Sequence, residues 1–187
     1  MPNKKSFLKQ FWKEKKMVGA MAPSSRFLAK KMLENIDFSK AKVLVELGPG
    51  TGVFTDKILE KMAPDAVLLV FELHDAFCTQ LQNRISDKRA HIIHDSAEKI
   101  EEYLVKYELG KADVVISSLP LANFPQELRN SILHASHKSL TEVGKYIQFQ
   151  YSLQSKKHIK KVFNEVSIDF TPLNFPPAFV YTCNKAD

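Results

Sequence analysis

Apolar residues along this chain gather into short unbroken runs, separated by stretches where they recur at helical spacing. Val43-Leu-Val-Glu46-Leu47, Val67-Leu-Leu-Val-Phe71, His91-Ile-Ile-His94 and Ala112-Asp-Val-Val-Ile116 have the length and aliphatic content of strands. Apolarity that is continuous rather than alternating predicts a parallel sheet covered on both faces. Residues 143–151, Val-Gly-Lys-Tyr-Ile-Gln-Phe-Gln-Tyr, alternate with period two after a turn, and Phe179-Val-Tyr-Thr-Cys183 forms a closing strand, with Pro172 and the pair Pro176-Pro177 interrupting the tail before it. Leu28, Met32 and Ile36 share one face of a helix that starts behind Pro23, where Ser24 or Ser25 is placed to cap the free N–H groups. An exposed helix start of this kind also suits an anion. Nearer the N-terminus, Phe7, Leu8, Phe11 and Trp12 make an apolar stripe among lysines.

Chemistry enters at the carboxyl ends of the strands. The first run passes directly into Glu46-Leu-Gly48-Pro-Gly50-Thr-Gly52. Glycine tolerates positive φ and lets backbone N–H groups approach a ligand, and the carboxyl end of a first strand is where open α/β sheets bind ligands. The glycines fall two apart behind an acid, E-x-G-x-G-x-G, which is not the G-x-G-x-x-G of dinucleotide sites. Glu72 ends the second run, 20 residues after Gly52, at the distance from which an acid reaches ribose hydroxyls. The third run ends in Asp95-Ser96-Ala97 and the fourth in Ser117-Ser-Leu-Pro120. A glycine-rich turn without a ligand is the alternative for the first motif alone; four polar or turn endings in chain order favour a nucleoside-like cofactor.

At 187 residues the chain is of single-domain size. It shows no repeat, low-complexity tract or linker, so residues 1–187 are read as one domain, with 1–40 an N-terminal basic arm and cap helix and 41–187 the core. Cys78 and Cys183 have no pairing framework, and the six histidines show no metal-ligand spacing, so no metal is assigned. No apolar stretch reaches the ~20 residues of a spanning helix, and no secretory h-region is evident; a cytoplasmic location is expected. The charge is uneven. Residues 1–31 hold nine basic side chains against the single acid Glu14, so the net charge of +6 sits in the arm and the remainder is slightly acidic. That is unlike a protein that grips a long nucleic acid across its whole face. The arm, residues 4–16, has the signature of a helix lying in an anionic membrane interface; a first helix docked on the body and a nucleic-acid arm are the other readings.

Taken together, the segments Val18-Gly-Ala-Met-Ala-Pro-Ser-Ser-Arg-Phe-Leu28, Val45-Glu-Leu-Gly-Pro-Gly-Thr-Gly-Val-Phe-Thr55, Ser117-Ser-Leu-Pro-Leu-Ala-Asn-Phe-Pro125, Gln148-Phe-Gln-Tyr151 and Asn174-Phe-Pro-Pro-Ala178 resemble the bacterial phospholipid N-methyltransferases. These are the soluble, membrane-associated type that methylates phosphatidylethanolamine. The glycine motif by itself resembles motif I of the wider class I S-adenosylmethionine-dependent methyltransferases. The resemblance spans nearly the whole chain and implies an α/β fold: a Rossmann-like, seven-stranded, mostly parallel sheet with the last strand antiparallel and helices on both faces. It further implies that Glu46, Gly48, Gly50 and Gly52 line the methionine end of S-adenosyl-L-methionine, that Glu72 holds the ribose, and that Asp95 with Ser96 meets the adenine. Ser117, Leu119 and Pro120 would border the methyl-transfer site.

The ribosomal RNA adenine dimethyltransferases, which resemble this family most, carry Asn-Leu-Pro-Tyr in the corresponding loop. Here Ser117 or Ser118 stands for the asparagine and Leu121 for the tyrosine. An aromatic at that place stacks on a base, so Leu121 argues against a base substrate, as does the short stretch that follows the last strand. The expected reaction is direct methyl transfer to a neutral lipid amine at the membrane surface. Leu119, Pro120, Leu121 and Phe124 would desolvate the amine and lower its pKa, and Tyr151 is the candidate for positioning it by its hydroxyl, a core tyrosine being the alternative. No general base is assigned. Competing functions are an RNA or small-molecule methyltransferase and a non-enzymatic membrane-binding protein with a vestigial pocket.

Overall fold

The computed structural model describes residues 25–185. Seven strands, β1 (Val43–Leu47), β2 (Val67–Phe71), β3 (Ala90–Ile93), β4 (Ala112–Ser117), β5 (Leu140–Gln150), β6 (Glu165–Thr171) and β7 (Ala178–Asn184), form one sheet in the order β3-β2-β1-β4-β5-β7-β6. The helices are α1 (Ser25–Leu33), α2 (Val53–Lys61), α3 (Asp75–Arg84), α4 (Ile100–Lys106), α5 (Gln126–Ser139) and α6 (Lys156–Val162). β1 to β5 pair in parallel, and β7 runs antiparallel between β5 and β6. The expected mostly parallel sheet with an antiparallel last strand is therefore present. The expected amphipathic segment at residues 4–16 and the cap at Ser24 lie outside the described residues, as does the side chain of Ser25.

Both faces of the sheet are covered, which explains why its central strands read as unbroken apolar runs. Every residue of β1 is buried. On one face Val45, Leu47, Leu69 and Tyr146 pack with Leu104 of α4 and Leu128, Ile132 and Leu133 of α5. On the other, Leu44, Leu68 and Ile147 pack with Leu28 and Met32 of α1 and Phe54 and Ile58 of α2. The predicted face Leu28-Met32-Ile36 is buried as expected, although α1 stops at Leu33 and Ile36 packs from the turn behind it. Each such side chain fully removed from water stabilises the fold by about 1.5–3 kcal/mol.

Two details depart from the sequence reading. β6 was not among the segments singled out; its polar positions alternate with Val166, Ile168 and Phe170, and it lies at the open edge where burial is incomplete. β5 begins at Leu140, with an irregularity in its pairing to β4, and it ends at Gln150, which leaves Tyr151 just beyond the strand. The chain runs outward from β1 to β3 and then returns to β4 on the other side of β1. That reversal opens a crevice outside the carboxyl ends of β1 and β4.

Candidate functional site

β1 ends in a carboxylate that the fold has removed from water. Glu46 is fully buried; one carboxyl oxygen accepts the Thr55 hydroxyl at 2.7 Å, and the other, Oε1, has no hydrogen-bond partner among the described residues. Burial pushes its pKa up to about 8, against the opposing pull of the Thr55 hydrogen bond. A buried, half-satisfied carboxyl at the mouth of a glycine turn is costly to keep without a ligand.

The three glycines that follow serve three different ends. All have positive φ. A Cβ on Gly48 would come within 2.6 Å of Leu119 Cδ2, so this residue lets the β1 turn and the β4 loop close on each other. Around Gly50 nothing among the described residues stands within 4 Å of that position, and its N–H donates to Glu72 Oε2 at 3.0 Å. Gly52 begins α2 at φ 85°, and a Cβ there would strike the Arg84 guanidinium and Leu81. The structure thus turns Gly52 toward α3 and the packing of the turn. Arg84 completes that arrangement with a two-pronged ion pair to Asp56 at 2.7 and 2.8 Å and a hydrogen bond to the Thr51 carbonyl at 3.2 Å. Nothing in the sequence pointed to Arg84, because the contact spans 33 positions.

Glu72, at the end of β2, is buried and also accepts the His74 N–H at 2.8 Å. Asp95, after β3, accepts from the Ser96 N–H at 2.8 Å and from Lys99 and the Tyr103 hydroxyl, each at 3.1 Å. Burial works to raise its pKa, but these three donors together hold it below the ordinary carboxylate value. Ser96 itself caps the short 3₁₀ turn Ala97–Lys99, accepting from the Glu98 N–H. Gly48, Glu72, Leu73, Asp95, Ser96 and Leu119 line one cleft, closed on its far side by Phe124 and Ile132.

The loop after β4 is held by a ring of hydrogen bonds. The Ser117 hydroxyl faces Tyr146, the Tyr146 hydroxyl donates to Gln148 Oε1 at 2.7 Å, Gln148 Nε2 donates to the Leu119 carbonyl at 3.0 Å, and the Leu119 N–H returns to Ser117 Oγ at 3.3 Å. Gln150 adds a second donor to the same carbonyl at 2.9 Å. Such closed networks rigidify what they surround. Ser117 is buried and engaged beneath the site, whereas the neighbouring Ser118 has a buried hydroxyl oxygen with no hydrogen-bond partner among the described residues. Of the two serines left open in place of the asparagine, Ser118 is the one with a free group.

The structure corrects one expectation for this loop, Leu121 as a lining residue, and excludes the core position that was the alternative for Tyr151. Leu121 is fully buried and Phe124 nearly so, both packed into the core beside α5. Leu121 therefore presents no side chain to an acceptor; of the four apolar residues expected to desolvate the amine, Leu119 and Phe124 line the cleft and Pro120 is partly exposed outside it. Tyr151 is not a core residue. It is half exposed, its ring meets the Phe149 edge at 5.5 Å, and its hydroxyl is hydrogen-bonded to Asn174. Tyr151 and Pro120 do not line the cleft shared by Gly48, Glu72, Asp95 and Leu119.

The strand order, the glycine turn at the switch point and the acid at the end of each of the next two strands define a class I methyltransferase. The model of the ribosomal RNA adenine dimethylase family matches residues 13–167, and the chain belongs to that family. It is an S-adenosylmethionine-dependent methyltransferase. Its similarity to an ornithine lipid N-methyltransferase of Singulisphaera acidiphila is 30% identity over 95% of this chain and 93% of the relative. A ribosomal RNA small subunit methyltransferase A of Mesomycoplasma hyopneumoniae is 29% identical, but over only 57% of this chain and 38% of its own length. Among solved structures, the Burkholderia thailandensis 1,6-didemethyltoxoflavin-N1-methyltransferase superposes with a TM-score of 0.72 at 13% identity, covering 98% of this chain and 87% of its own. N-methyltransferase NodS of Bradyrhizobium japonicum gives 0.67 at 10% identity, over 88% and 98%. The two structural likenesses establish the fold.

Proposed function

We propose that the protein is a lipid N-methyltransferase that moves the methyl group of S-adenosylmethionine onto the amine of a membrane-lipid headgroup. The observation that carries this function is the full-length similarity to a relative named for lipid N-methylation, set against the partial match to the RNA enzymes. The resemblance of the sequence motifs points to phosphatidylethanolamine as acceptor, whereas the relative is named for ornithine lipid; both headgroups carry a primary aliphatic amine. Work at the cytoplasmic face of the inner membrane, with the basic arm at residues 4–16 on anionic lipid, belongs to the same proposal.

The residues present fit the cofactor. Gly50 leaves the backbone open beside the buried Glu72, and Glu46 offers an unpartnered carboxyl oxygen. When bound, S-adenosylmethionine supplies an electrophilic methyl on sulfonium sulfur. Glu46, Gly48 and Gly50 would hold its methionine end, Glu72 the ribose hydroxyls, and Asp95 with Ser96 the adenine. Gly52 contributes through the turn it forms rather than by contact.

The protein's remaining task is to align a neutral amine with that methyl and to keep water out. An alkylamine is protonated at neutral pH, since its ordinary pKa is about 10. Leu119 and Pro120, fixed by Gln148 and Gln150, would supply apolar surface that disfavours the ammonium form. The Ser118 and Tyr151 hydroxyls are candidates to orient the nitrogen. Burial holds the Tyr151 phenol above its ordinary pKa, despite the Asn174 hydrogen bond, so it acts as a neutral hydroxyl and not as a base. The test is transfer of radiolabelled methyl to phosphatidylethanolamine vesicles, ornithine-lipid vesicles and RNA. Label in lipid alone supports the proposal, and the preferred vesicle identifies the headgroup. Label in RNA with inert lipid refutes it.

A further inference from the structure

Eight large apolar side chains are exposed among the described residues, and five of them lie at or beyond the carboxyl ends of β5 and β6: Tyr151, Leu153, Phe170, Leu173 and Phe175. Topology explains the gathering. β6 runs parallel to β5, so the loop 172–177 between β6 and β7 lies on the same edge as the carboxyl ends of β1 and β4. The loop 151–154 leaves β5 beside it, and the Tyr151–Asn174 hydrogen bond ties the two loops together. Gln150, one residue earlier, is the side chain that grips the Leu119 carbonyl. The apolar rim is therefore physically continuous with the wall of the candidate transfer site.

Exposure here is large where it counts. Leu173 is 64% exposed and Phe175 86% exposed, in a loop without a single charged residue. Behind the other loop, α6 presents Lys156, Lys157, Lys160 and Lys161, all exposed, with no acid between residues 151 and 163. None of these lysines has an ion-pair partner among the described residues, whereas Lys31 and Lys42 nearer the core are paired. A contiguous apolar patch on a folded surface marks an interaction site. Apolar tips flanked by unneutralised lysines match a bilayer interface, where the tips enter the acyl boundary and the lysines meet anionic headgroups.

We propose that the loops 151–154 and 172–177, with the lysines of α6, form a docking surface for an anionic membrane that seats the transfer site against the bilayer. The inference rests on the lipid N-methyltransferase function proposed above and adds a second contact, distinct from the arm at residues 4–16. It explains how an acceptor amine reaches the transfer site without its lipid leaving the membrane: the loops that meet the bilayer adjoin Gln150, which holds Leu119 at the edge of the cleft.

The test uses the full-length protein. Since Trp12 is the sole tryptophan, a W12F/F175W double variant reports the loop alone. Its emission should shift to the blue with phosphatidylglycerol-containing vesicles, and lipids brominated at a shallow acyl depth should quench it. In the native background, L173D/F175D should lower binding to the same vesicles at least tenfold and lower methyl transfer into vesicle lipid to a similar extent, with S-adenosylmethionine affinity by calorimetry unchanged. Vesicle binding and labelling at native levels, together with an unquenched F175W indole, would overturn the docking surface while leaving the lipid function standing. Quenching and lost binding with label found only in RNA would refute the function and keep the surface. Two other results would also overturn it. One is a dimer that L173D/F175D converts to monomer without vesicle quenching, which would assign the patch to a second copy. The other is an F175W emission already blue without vesicles and returned to the red by F11E, which would assign it to the arm.

Discussion

The two halves of the sheet meet the chemistry in opposite ways. At β1 to β3 the groups that would face the cofactor are buried or half-buried and pre-committed: Glu46 on Thr55, Glu72 on the N–H groups of Gly50 and His74, Asp95 on three donors. At the loops that follow β5 and β6 the exposed groups are mainly apolar and tied down by few polar contacts, Tyr151 to Asn174 and Asn174 to the Pro176 carbonyl among them. A soluble cofactor of fixed shape rewards a preorganised crevice, because donors and acceptors set in advance need no reorganisation when it binds. An acceptor that remains in a fluid bilayer offers no fixed shape to match, and what serves it is a surface compatible with the interface. If this contrast is correct, substitutions in the first half act on cofactor affinity, and substitutions in the second act on turnover with lipid.

The largest effect should come from Gly48→Val. It places a side chain at positive φ, which costs about 1–2 kcal/mol, and drives a Cβ into Leu119, whose Cδ2 would lie 2.6 Å away. Overpacking adds about 1–3 kcal/mol. Gly48 and Leu119 both line the cleft, so S-adenosylmethionine affinity by calorimetry should fall on the order of a hundredfold while circular dichroism shows a folded chain. Next is Glu72→Ala. It removes a buried carboxylate and leaves the Gly50 and His74 N–H groups without their acceptor. Hydrogen bonds to charged groups are worth about 1.5–3 kcal/mol, so affinity should drop between about tenfold and a hundredfold. Loss of lipid turnover with native cofactor affinity in either variant would break the division between the halves.

Cofactor-side features were legible from the chain because they are local. An acid and alternating glycines at the end of an apolar run, and an acid at the end of the next, follow from strand geometry and a short turn. Arg84 on the Thr51 carbonyl and Gln148 on the Leu119 carbonyl are invisible at that range, since sequence periodicity does not report contacts across 33 and 29 positions. The same limit hid the fate of Leu121. A loop residue next to a candidate site reads as a lining residue, yet the 3₁₀ turn Leu121–Asn123 rotates it into the core beside α5. The edge strand β6 carried a readable alternation, Val166, Ile168 and Phe170, that was weaker than the central runs because neither face of this strand is fully covered.

Protonation of Glu46 gives a third way to probe the cofactor half. In the cofactor-free protein burial raises its pKa from the ordinary 4.5 to about 8. Between those values the folded state binds a proton that the unfolded chain has lost, so stability is greatest at the acid end and declines as pH rises, by roughly a tenfold change in the folding equilibrium per unit. Above about pH 8 both states are ionised and this contribution stops changing. Denaturant titrations across the window should show the decline in the wild type and a flatter profile in Glu46→Gln. An unchanged slope in that variant would mean that Glu46 is already ionised in the fold.

The smallest effects belong to the acceptor half, where two hydroxyls compete for one role. The buried Ser118 Oγ has no hydrogen-bond partner among the described residues, whereas the Tyr151 hydroxyl already has Asn174. A neutral hydrogen bond contributes about 0.5–1.5 kcal/mol, so deleting the hydroxyl that orients the amine should lower kcat/KM with lipid vesicles by roughly two- to tenfold. Its signature is a fall in kcat with native cofactor affinity and native vesicle binding. Ser118→Ala should show that signature, because no hydrogen bond among the described residues depends on this hydroxyl. Tyr151→Phe removes a hydroxyl that also joins two rim loops, so a purely structural role predicts weaker vesicle binding at native kcat. If Tyr151→Phe lowers kcat and Ser118→Ala leaves it untouched, the amine is oriented from the end of β5 and not from the loop after β4, and the acceptor enters closer to the membrane-facing rim than the unpartnered serine implies.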